Sequence, residues 1–552
     1  MGNALMSGVS GLKAHQAMID VAGNNLANVN TTAYKSSRVT FADLLSQTLK
    51  DASAPTANLG GTNPMQIGSG VLVSSVDRDM TQGTLEYTGN PLDMAIDGKG
   101  YFTLNDGQGD KYTRVGQFAV DSQFYLIDPT NGYRVQRIGR EGVPEGFQDP
   151  TSNDIRIPYD VALAAKETET VSFSGNLSAN QSDPTINLLT SGIQYTDGTG
   201  SLASYPTLLS DLSQTSGLEA GDTVDIVGTN KAGTAVSGTY TYALGDTVQD
   251  FVDSITSLFS GSTATFVNGE LRLKDDAAGY SQSYINNMTF TETSGGAATF
   301  ELPAQFDILT AGGQIEKPVN VEVFDAQGNA YTVAGSFVRT DTTNTWDFVV
   351  KSASSDTIVN DRFIRGIQFQ TDGSFGDLDG TDVNGSTVTL SFPSDPTNQR
   401  SVTLNLGTLG DLDGLTQFGG PSTAANSGQD GYAAGWLSTM SVSREGTLVG
   451  VFSNGVRRDI AALKIATFQN AGGLKSVGSN YFLPSSNSGD PVPNKATEGD
   501  AGSVTGSRIE KSNVEVAQEF VNLIEAQNGY QANARTIKVA NEMLKELTNL
   551  IR

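Results

Sequence analysis

The chain has 552 residues, with 34 Lys and Arg against 60 Asp and Glu, a formal net charge of −26 and no cysteine. This length is ample for several cores, because single cores stop growing near ~250–300 residues. The lack of cysteine excludes disulfides and thiolate metal sites, and the acidic field repels phosphate backbones and anionic lipid, so neither nucleic acid nor membrane insertion is expected. Charged residues make up only 17 % of a chain that carries 62 glycines. That balance suits strands and turns better than a helical enzyme core.

In chain order, the first element is helical. Leu5, Leu12, Ile19 and Leu26 recur every seven residues, with Val9, Ala22 and Val29 beside them. This is the stripe of an amphipathic helix. Gly8, Gly11 and Gly23 weaken it, so the helix is expected to depend on a partner. The preceding residues lack a basic n-region and an apolar h-region, so the chain is expected to stay in the cytosol or to leave without a cleaved signal peptide.

The strip AGNNLANVNTTAYK, residues 22–35, then ends the helix near Val29. Asn24, Asn25, Asn28 and Asn30 compete for backbone hydrogen bonds, and Thr31 and Thr32 are poor helix formers. The asparagines are expected either to cap the helix or to bond across an interface, and the pattern leaves both open. His15 is the one histidine. A Ser/His/Asp triad or a histidine metal cluster is therefore not expected, and His15 is expected to be a surface or packing residue.

Alternation continues through the middle. Tyr101, Thr103, Tyr112, Phe118 and Val120 read as strands around an Asp106-Gly107 turn, and residues 437–460 repeat that texture with turns at Glu445-Gly446 and Asn454-Gly455. These two blocks are expected to share one domain into which the rest is inserted. Val319, Val321 and Val323, then Phe337, Trp346, Phe348 and Val350, open a further sheet. Within residues 183–315, strands are expected near Val224–Val227 and Val236–Tyr242, and a short helix after Asp246 or Thr247.

The far end is helical again. Ile509, Val516, Leu523, Tyr530, Ile537, Leu544 and Ile551 form a seven-residue series, widened by Phe520, Ala534, Ala540 and Leu547. A helix over that span would be roughly 60 Å long at ~1.5 Å per residue, and so long an apolar stripe wants another helix. The expected fold is therefore multidomain and mainly β, with nested discontinuous β domains and N- and C-terminal α-helices that form a coiled-coil layer on assembly. The expected boundaries are 1–70 with 495–552 for the terminal helical domain, 71–145 with 401–494 for an inner β domain, 146–182 with 316–400 for a middle β domain, and 183–315 for an inserted outer domain. Turn residues mark expected hinges near 146–165 and 375–400, where Pro158, Pro393 and Pro396 limit local freedom without forbidding tilt.

No catalytic constellation emerges. Asp372, Asp377, Asp379 and Asp382 lack the glycine and glutamate spacing of a calcium loop. Gly68-Ser69-Gly70 and Gly98-Lys99-Gly100 are not phosphate loops. The expectation is a non-enzyme with no cofactor and no metal.

The strip at residues 23–35, with Gly83-Thr84-Leu85, the run from Asn90 to Phe102 and Tyr112 to Phe118, resembles bacterial flagellar axial proteins, and within that group the hook proteins. Val323 to Gly328 with Asn344-Thr345-Trp346, Gln469 to Leu474, and Ser507 to Glu519 extend the likeness. It spans roughly residues 1–145, 165–180, 317–375 and 430–552. Ala33 stands where the family carries glycine before the tyrosine, and Ser122-Gln123-Phe124 replaces its usual glycine turn, so that hairpin is expected to be remodelled. The resemblance implies a self-assembling, hollow, curved tube outside the cell that carries torque from rod to filament. Its implied partners are other copies of the chain, the distal rod protein, the hook cap, the hook-filament junction proteins and the flagellar export apparatus. It also implies assembly roles for the stripe residues above and for Asn24, Asn25, Leu26, Asn28, Asn30, Thr31 and Tyr34. A junction or distal rod protein is the near alternative. The remote one is a β-module adhesin using Tyr195, Tyr205 and Tyr280 as a sugar platform, although ordinary packing is the preferred expectation for each.

Overall fold

Period-two alternation dominates the sequence, and strands dominate the fold. The computed structural model describes residues 2–56, 59–180, 182–293, 295–354, 357–378 and 385–550; Asp379, Asp382 and Ile551 lie outside them. Among the described residues there are three α-helices: α1 (Gly2–Ala27), α2 (Val248–Leu258) and α3 (Val516–Leu550). The chain divides into two units, Met1–Leu163 with Gly435–Arg552, and Ala164–Ala434.

In the first unit, α1 packs on α3 and on the antiparallel hairpin Ser37–Asp43/Val71–Arg78. A nine-stranded sheet mixes both ends of the chain: Tyr101–Asn105 pairs with Asp110–Thr113, with Arg134–Val135 and with Ile465–Thr467, and Tyr481–Leu483 pairs with Asp110–Thr113. Arg137–Ile138 joins the meander Leu437–Val442, Thr447–Phe452 and Arg457–Leu463. Phe102, Leu104, Leu126, Ile155, Leu448 and Ile460 share the core between these sheets. The two matching blocks of sequence thus do share one body.

The turns follow their side chains. Asp106 Oδ1 accepts from the N–H groups of Gln108 and Gly109, and Asn454 Oδ1 from that of Val456. The hairpin expected to be remodelled keeps its pairing, Leu126 opposite Val120. Phe124 takes the left-handed conformation at φ 67°, and Asp121 caps the N–H groups of Gln123 and Tyr125 in place of the missing glycine turn.

In the second unit, Thr170–Ser178 runs parallel to Arg400–Asn405 and Leu415–Phe418 and antiparallel to Ala425–Gln429. An antiparallel meander, Glu316–Phe324 through Phe375–Leu378, packs Phe337, Trp346, Phe348 and Val350 against Phe173 and Leu415. A second core gathers Val224, Ile226, Phe251, Ile255, Leu271 and Leu273. There α2 begins as expected: Thr247 is its N-cap, in a reciprocal capping box with Asp250.

Two expectations need correction, and a third is met. The break at 400/401 falls at the start of the strand Arg400–Asn405, which pairs with Thr387–Ser391 across a loop containing Pro393 and Pro396. That turn cluster is a hairpin connection within a sheet, and composition does not distinguish it from a hinge. Residues 147–157 likewise belong to the first unit, where Phe147 stacks on Phe452 and Ile155 and Ile157 are buried. Tyr195, Tyr205 and Tyr280 are packed, which is the expectation preferred over a sugar platform. Tyr195 is 4 % exposed, the Tyr205 hydroxyl accepts from the N–H of Phe266, and the Tyr280 hydroxyl donates to Asp347.

Candidate functional site

The strip at residues 22–35 sits where the outgoing and returning ends of the chain meet. α1 stops at Ala27, and the Asn28 N–H bonds to the carbonyls of Asn24 and Asn25. Asn28 Nδ2 donates back to Asn24 O at 2.9 Å, and Thr31 Oγ1 donates to Asn28 Oδ1 at 3.1 Å. These are local caps.

Asn25 does something different. It is 1 % exposed. Its Oδ1 accepts from Ser37 N at 2.9 Å and from the Tyr34 hydroxyl at 3.2 Å. Its Nδ2 donates to Ser37 O at 2.7 Å and to Glu519 Oε1 at 3.0 Å. One amide thus pairs with a residue of the first strand as a neighbouring strand would, and also holds the first turn of α3. Asn24 donates to the Tyr34 hydroxyl, and burial, the larger effect on that phenol, pushes its pKa up. Asn30 is exposed.

The strip then runs beside residues 510–513. Ala33, 1 % exposed with φ 55°, donates its N–H to Glu510 O at 2.8 Å. The alanine therefore holds the left-handed backbone that a glycine would adopt freely. Ser36 N donates to Asn513 Oδ1, whose amide donates to Asp79 O and Thr81 O.

Beneath this lies a buried charge cluster. Lys35 Nζ is 2.6 Å from Glu510 Oε1 and 2.6 Å from Thr81 O. Arg114 reaches Glu510 Oε2 at 3.4 Å, donates to Gly98 O at 2.7 Å, and lies over the Tyr101 ring. The Gly83 N–H donates to Glu510 Oε1 at 2.9 Å. One carboxylate thus faces two cations and an amide, as a buried charge requires. Burial pulls the Lys35 ammonium below its ordinary value, and Glu510 opposes that pull.

The helix pair departs from the expected stripe in an instructive way. Ile509 is on the strand Arg508–Glu510, paired with Glu86, so α3 is shorter than expected, roughly 52 Å at ~1.5 Å per residue. Leu5, Leu12, Ile19, Leu26, Leu523 and Ile537 are half-buried, whereas Val516, Phe520, Tyr530 and Leu544 are exposed. The α3 residues best covered are Ala526 and Ala540. Gly8, Gly11 and Gly529, far from merely weakening the helices, are where they approach closely. His15 packs over Gly529, with Phe41 6.1 Å away.

Sequence reasoning missed Lys35, Arg114, Glu510 and Asn513. The seven-residue series, begun at Ile509, placed Glu510 on the last helix. The signal against that was Ser512-Asn513, a helix-start pair that leaves Glu510 outside. Among the described residues no group of three or more His, Asp or Glu side chains could hold a metal. No described helix is long and apolar enough to cross a membrane. What the arrangement does is bind the two ends of the chain to each other and to the β strands of the first unit, leaving large apolar side chains of α3 uncovered.

Comparison with known proteins agrees with this geometry. Family patterns described as flagella basal body rod protein match residues 5–35, flagellar hook protein FlgE/F/G D1 domain residues 95–179, flagellar basal body protein FlaE D2 domain residues 293–432, and flagellar basal body rod FlgEFG protein C-terminal residues 506–550. The flagellar hook protein FlgE of Treponema pallidum is 31 % identical over 558 residues, covering 100 % of both chains. That of Borreliella burgdorferi is 29 % identical over 563 residues, again with 100 % of each chain covered. The flagellar basal-body rod protein FlgG of Bacillus subtilis is 47 % identical, but over 24 % of this chain and 51 % of its own. With its whole length matched by hook proteins and both ends locked together at the family strip, the chain belongs to the flagellar hook protein family.

Proposed function

We propose that the chain is a structural subunit of the bacterial flagellar hook. Copies of it form a hollow, curved tube outside the cell that carries torque from rod to filament. The observation that carries the assembly part is the exposed apolar surface of α3. Val516, Phe520, Ile524, Val539 and Met543 are exposed along a helix already paired with α1, and so much apolar surface wants cover. Other copies of the helix pair supply it in a coiled-coil inner layer.

Asn25 and Tyr34 tie both helices to the strand that follows α1, and Asn24, Asn28 and Thr31 cap the end of α1, so that load on one segment reaches the next. Four domains fit this reading: terminal helices, an inner β domain reaching residue 163 and resuming at 435, a middle domain that includes residues 400–434, and the insertion at 183–315. The chain passes between its two units only twice, a connection that permits rigid-body tilting as the tube curves. The distal rod protein, the cap and the junction proteins meet the ends of the tube, and the export apparatus delivers the subunit.

Deleting residues 516–552 tests this. The shortened chain should remain soluble with its strands intact and form no tubes under conditions where the full chain does. Tubes of normal appearance from the shortened chain would contradict the proposal.

A further inference from the structure

α1 and α3 meet in three interlocking steps. A β-carbon placed on Gly8 would lie 2.9 Å from Ile537 Cγ1, one on Gly11 2.7 Å from the Asn533 side-chain amide, and one on Gly529 2.4 Å from His15 Cε1. All three distances are closer than real β-carbons approach. Going forward along α1 from 8 to 11 to 15, the partners go backward along α3 from 537 to 533 to 529. The steps are one helical turn apart on an antiparallel pair. At the first two, α3 supplies the knob and α1 the hole; at the third the roles reverse. The Asn533 knob is fixed from its own helix, since its Nδ2 donates to Gly529 O at 2.9 Å.

Large apolar residues do not explain the pairing, because the α3 stripe is largely exposed. A seven-residue apolar repeat also tolerates slippage by a whole heptad, which presents the same stripe again. The glycine steps do not: a one-turn slide places Ile537, Asn533 or His15 against a residue with a β-carbon.

We propose that His15, with Gly529, Gly8, Gly11, Asn533 and Ile537, is the register key of the terminal helix pair. It fixes which residues of α1 face which residues of α3. It therefore fixes where the exposed apolar residues of α3 stand when another copy arrives. His15 is a positioning residue in this scheme, and its reversed step makes the key asymmetric, so that no shifted alignment satisfies all three holes. The assembly consequence rests on the hook reading above; the register itself does not.

The absence of cysteine makes the test clean. In the full chain, Gly8→Cys with Ile537→Cys reports the native register, and Gly8→Cys with Gly529→Cys a register two turns away. Disulfide yield is read in soluble monomer and in polymer. On the native-pair background, Gly529→Leu fills the hole opposite His15. It also improves intrinsic helicity, so a purely helix-forming role for residue 529 predicts an unchanged or higher yield. The register key predicts a yield lower by about tenfold, restored when His15→Ala is added to recreate a knob and a hole in the opposite sense. Unchanged native yield with Gly529→Leu, or no rescue by the double variant, would overturn the proposal. The signal from the outer β domains, read by near-ultraviolet dichroism, controls for general unfolding. If every variant and the parent chain fail to polymerise while the monomer yields follow the prediction, the hook reading falls and the register key stands.

Discussion

Lys35 and Glu510 lie 475 positions apart in the chain, and their charged atoms are 2.6 Å apart with both side chains almost wholly buried. The pair ties the segment leaving α1 to the segment entering α3. Removing one partner of a buried pair strands the other. Glu510→Ala, which abandons both Lys35 and Arg114, should therefore destabilise the first unit by about 3–5 kcal/mol. Lys35→Met should cost less, because Arg114 and the Gly83 N–H still serve the carboxylate. Chemical denaturation of both variants checks the ordering; equal costs would contradict it.

Asn25 and Asn30 are separated by five positions in the same strip, yet only Asn25 is buried. Asn25→Ala removes bonds to Ser37, Tyr34 and Glu519 and should cost about 2–4 kcal/mol, while Asn30→Ala should stay within about 0.5 kcal/mol. Thermal melts of the two single variants decide this, and a comparable loss at both positions would show that the strip acts only by its composition.

Ala33 holds φ 55° in a buried site. A β-branched residue strongly resists that conformation. Ala33→Val should destabilise the first unit by at least about 2 kcal/mol and impair tube formation. Stable, assembling Ala33→Val would mean that the strip relaxes out of the left-handed conformation at little cost.

Thr247→Ala removes the N-cap of α2 and should lower the stability of the second unit by about 1 kcal/mol. Tube formation should be unaffected, since α2 lies in the inserted segment. A polymerisation defect in this variant would give that segment an assembly role it is not assigned here.

Alkaline pH should unfold the first unit through its phenols. Burial, with Asp110 nearby, pushes Tyr112 from 10.0 up to about 12. A raised folded pKa keeps the native phenol protonated while the unfolded one ionises. The stabilisation is therefore fully present below pH 10 and lost as the pH climbs towards 12. The slope is at most about 1.4 kcal/mol per pH unit for this group. Tyr112→Phe should flatten the fall in stability measured by denaturant titration at stepped pH; an unchanged slope would assign the effect to other groups.

Much of this molecule can be read from its residues. Thr247 announced α2, the Asp-Gly and Asn-Gly pairs announced the hairpins, and the shared texture of residues 98–120 and 437–460 announced that distant segments build one body. Periodicity was less reliable at the ends. Ile509 kept the seven-residue spacing by coincidence while lying on a strand, because a repeat reports spacing and not backbone conformation. Gly8 and Gly11 read as weaknesses because helix propensity is scored on an isolated helix, whereas their value lies in what α3 places against them. Glu510 was illegible for a related reason: a buried carboxylate is recognisable only when its cations, hundreds of residues away, are brought beside it. The proline-containing loop before Arg400 looked like a hinge because hinge and hairpin share turn residues, and only strand pairing separates them.

The most direct test of the central claim is a cryo-EM map of tubes assembled from the full chain. The account predicts that α1 and α3 line the inner wall, with Val516, Phe520, Val539 and Met543 buried against helices of neighbouring copies and the Lys35–Glu510 pair intact at the base of the inner β domain. Tubes in which those α3 residues face open solvent, or in which the outer β domains alone hold the copies together, would contradict it.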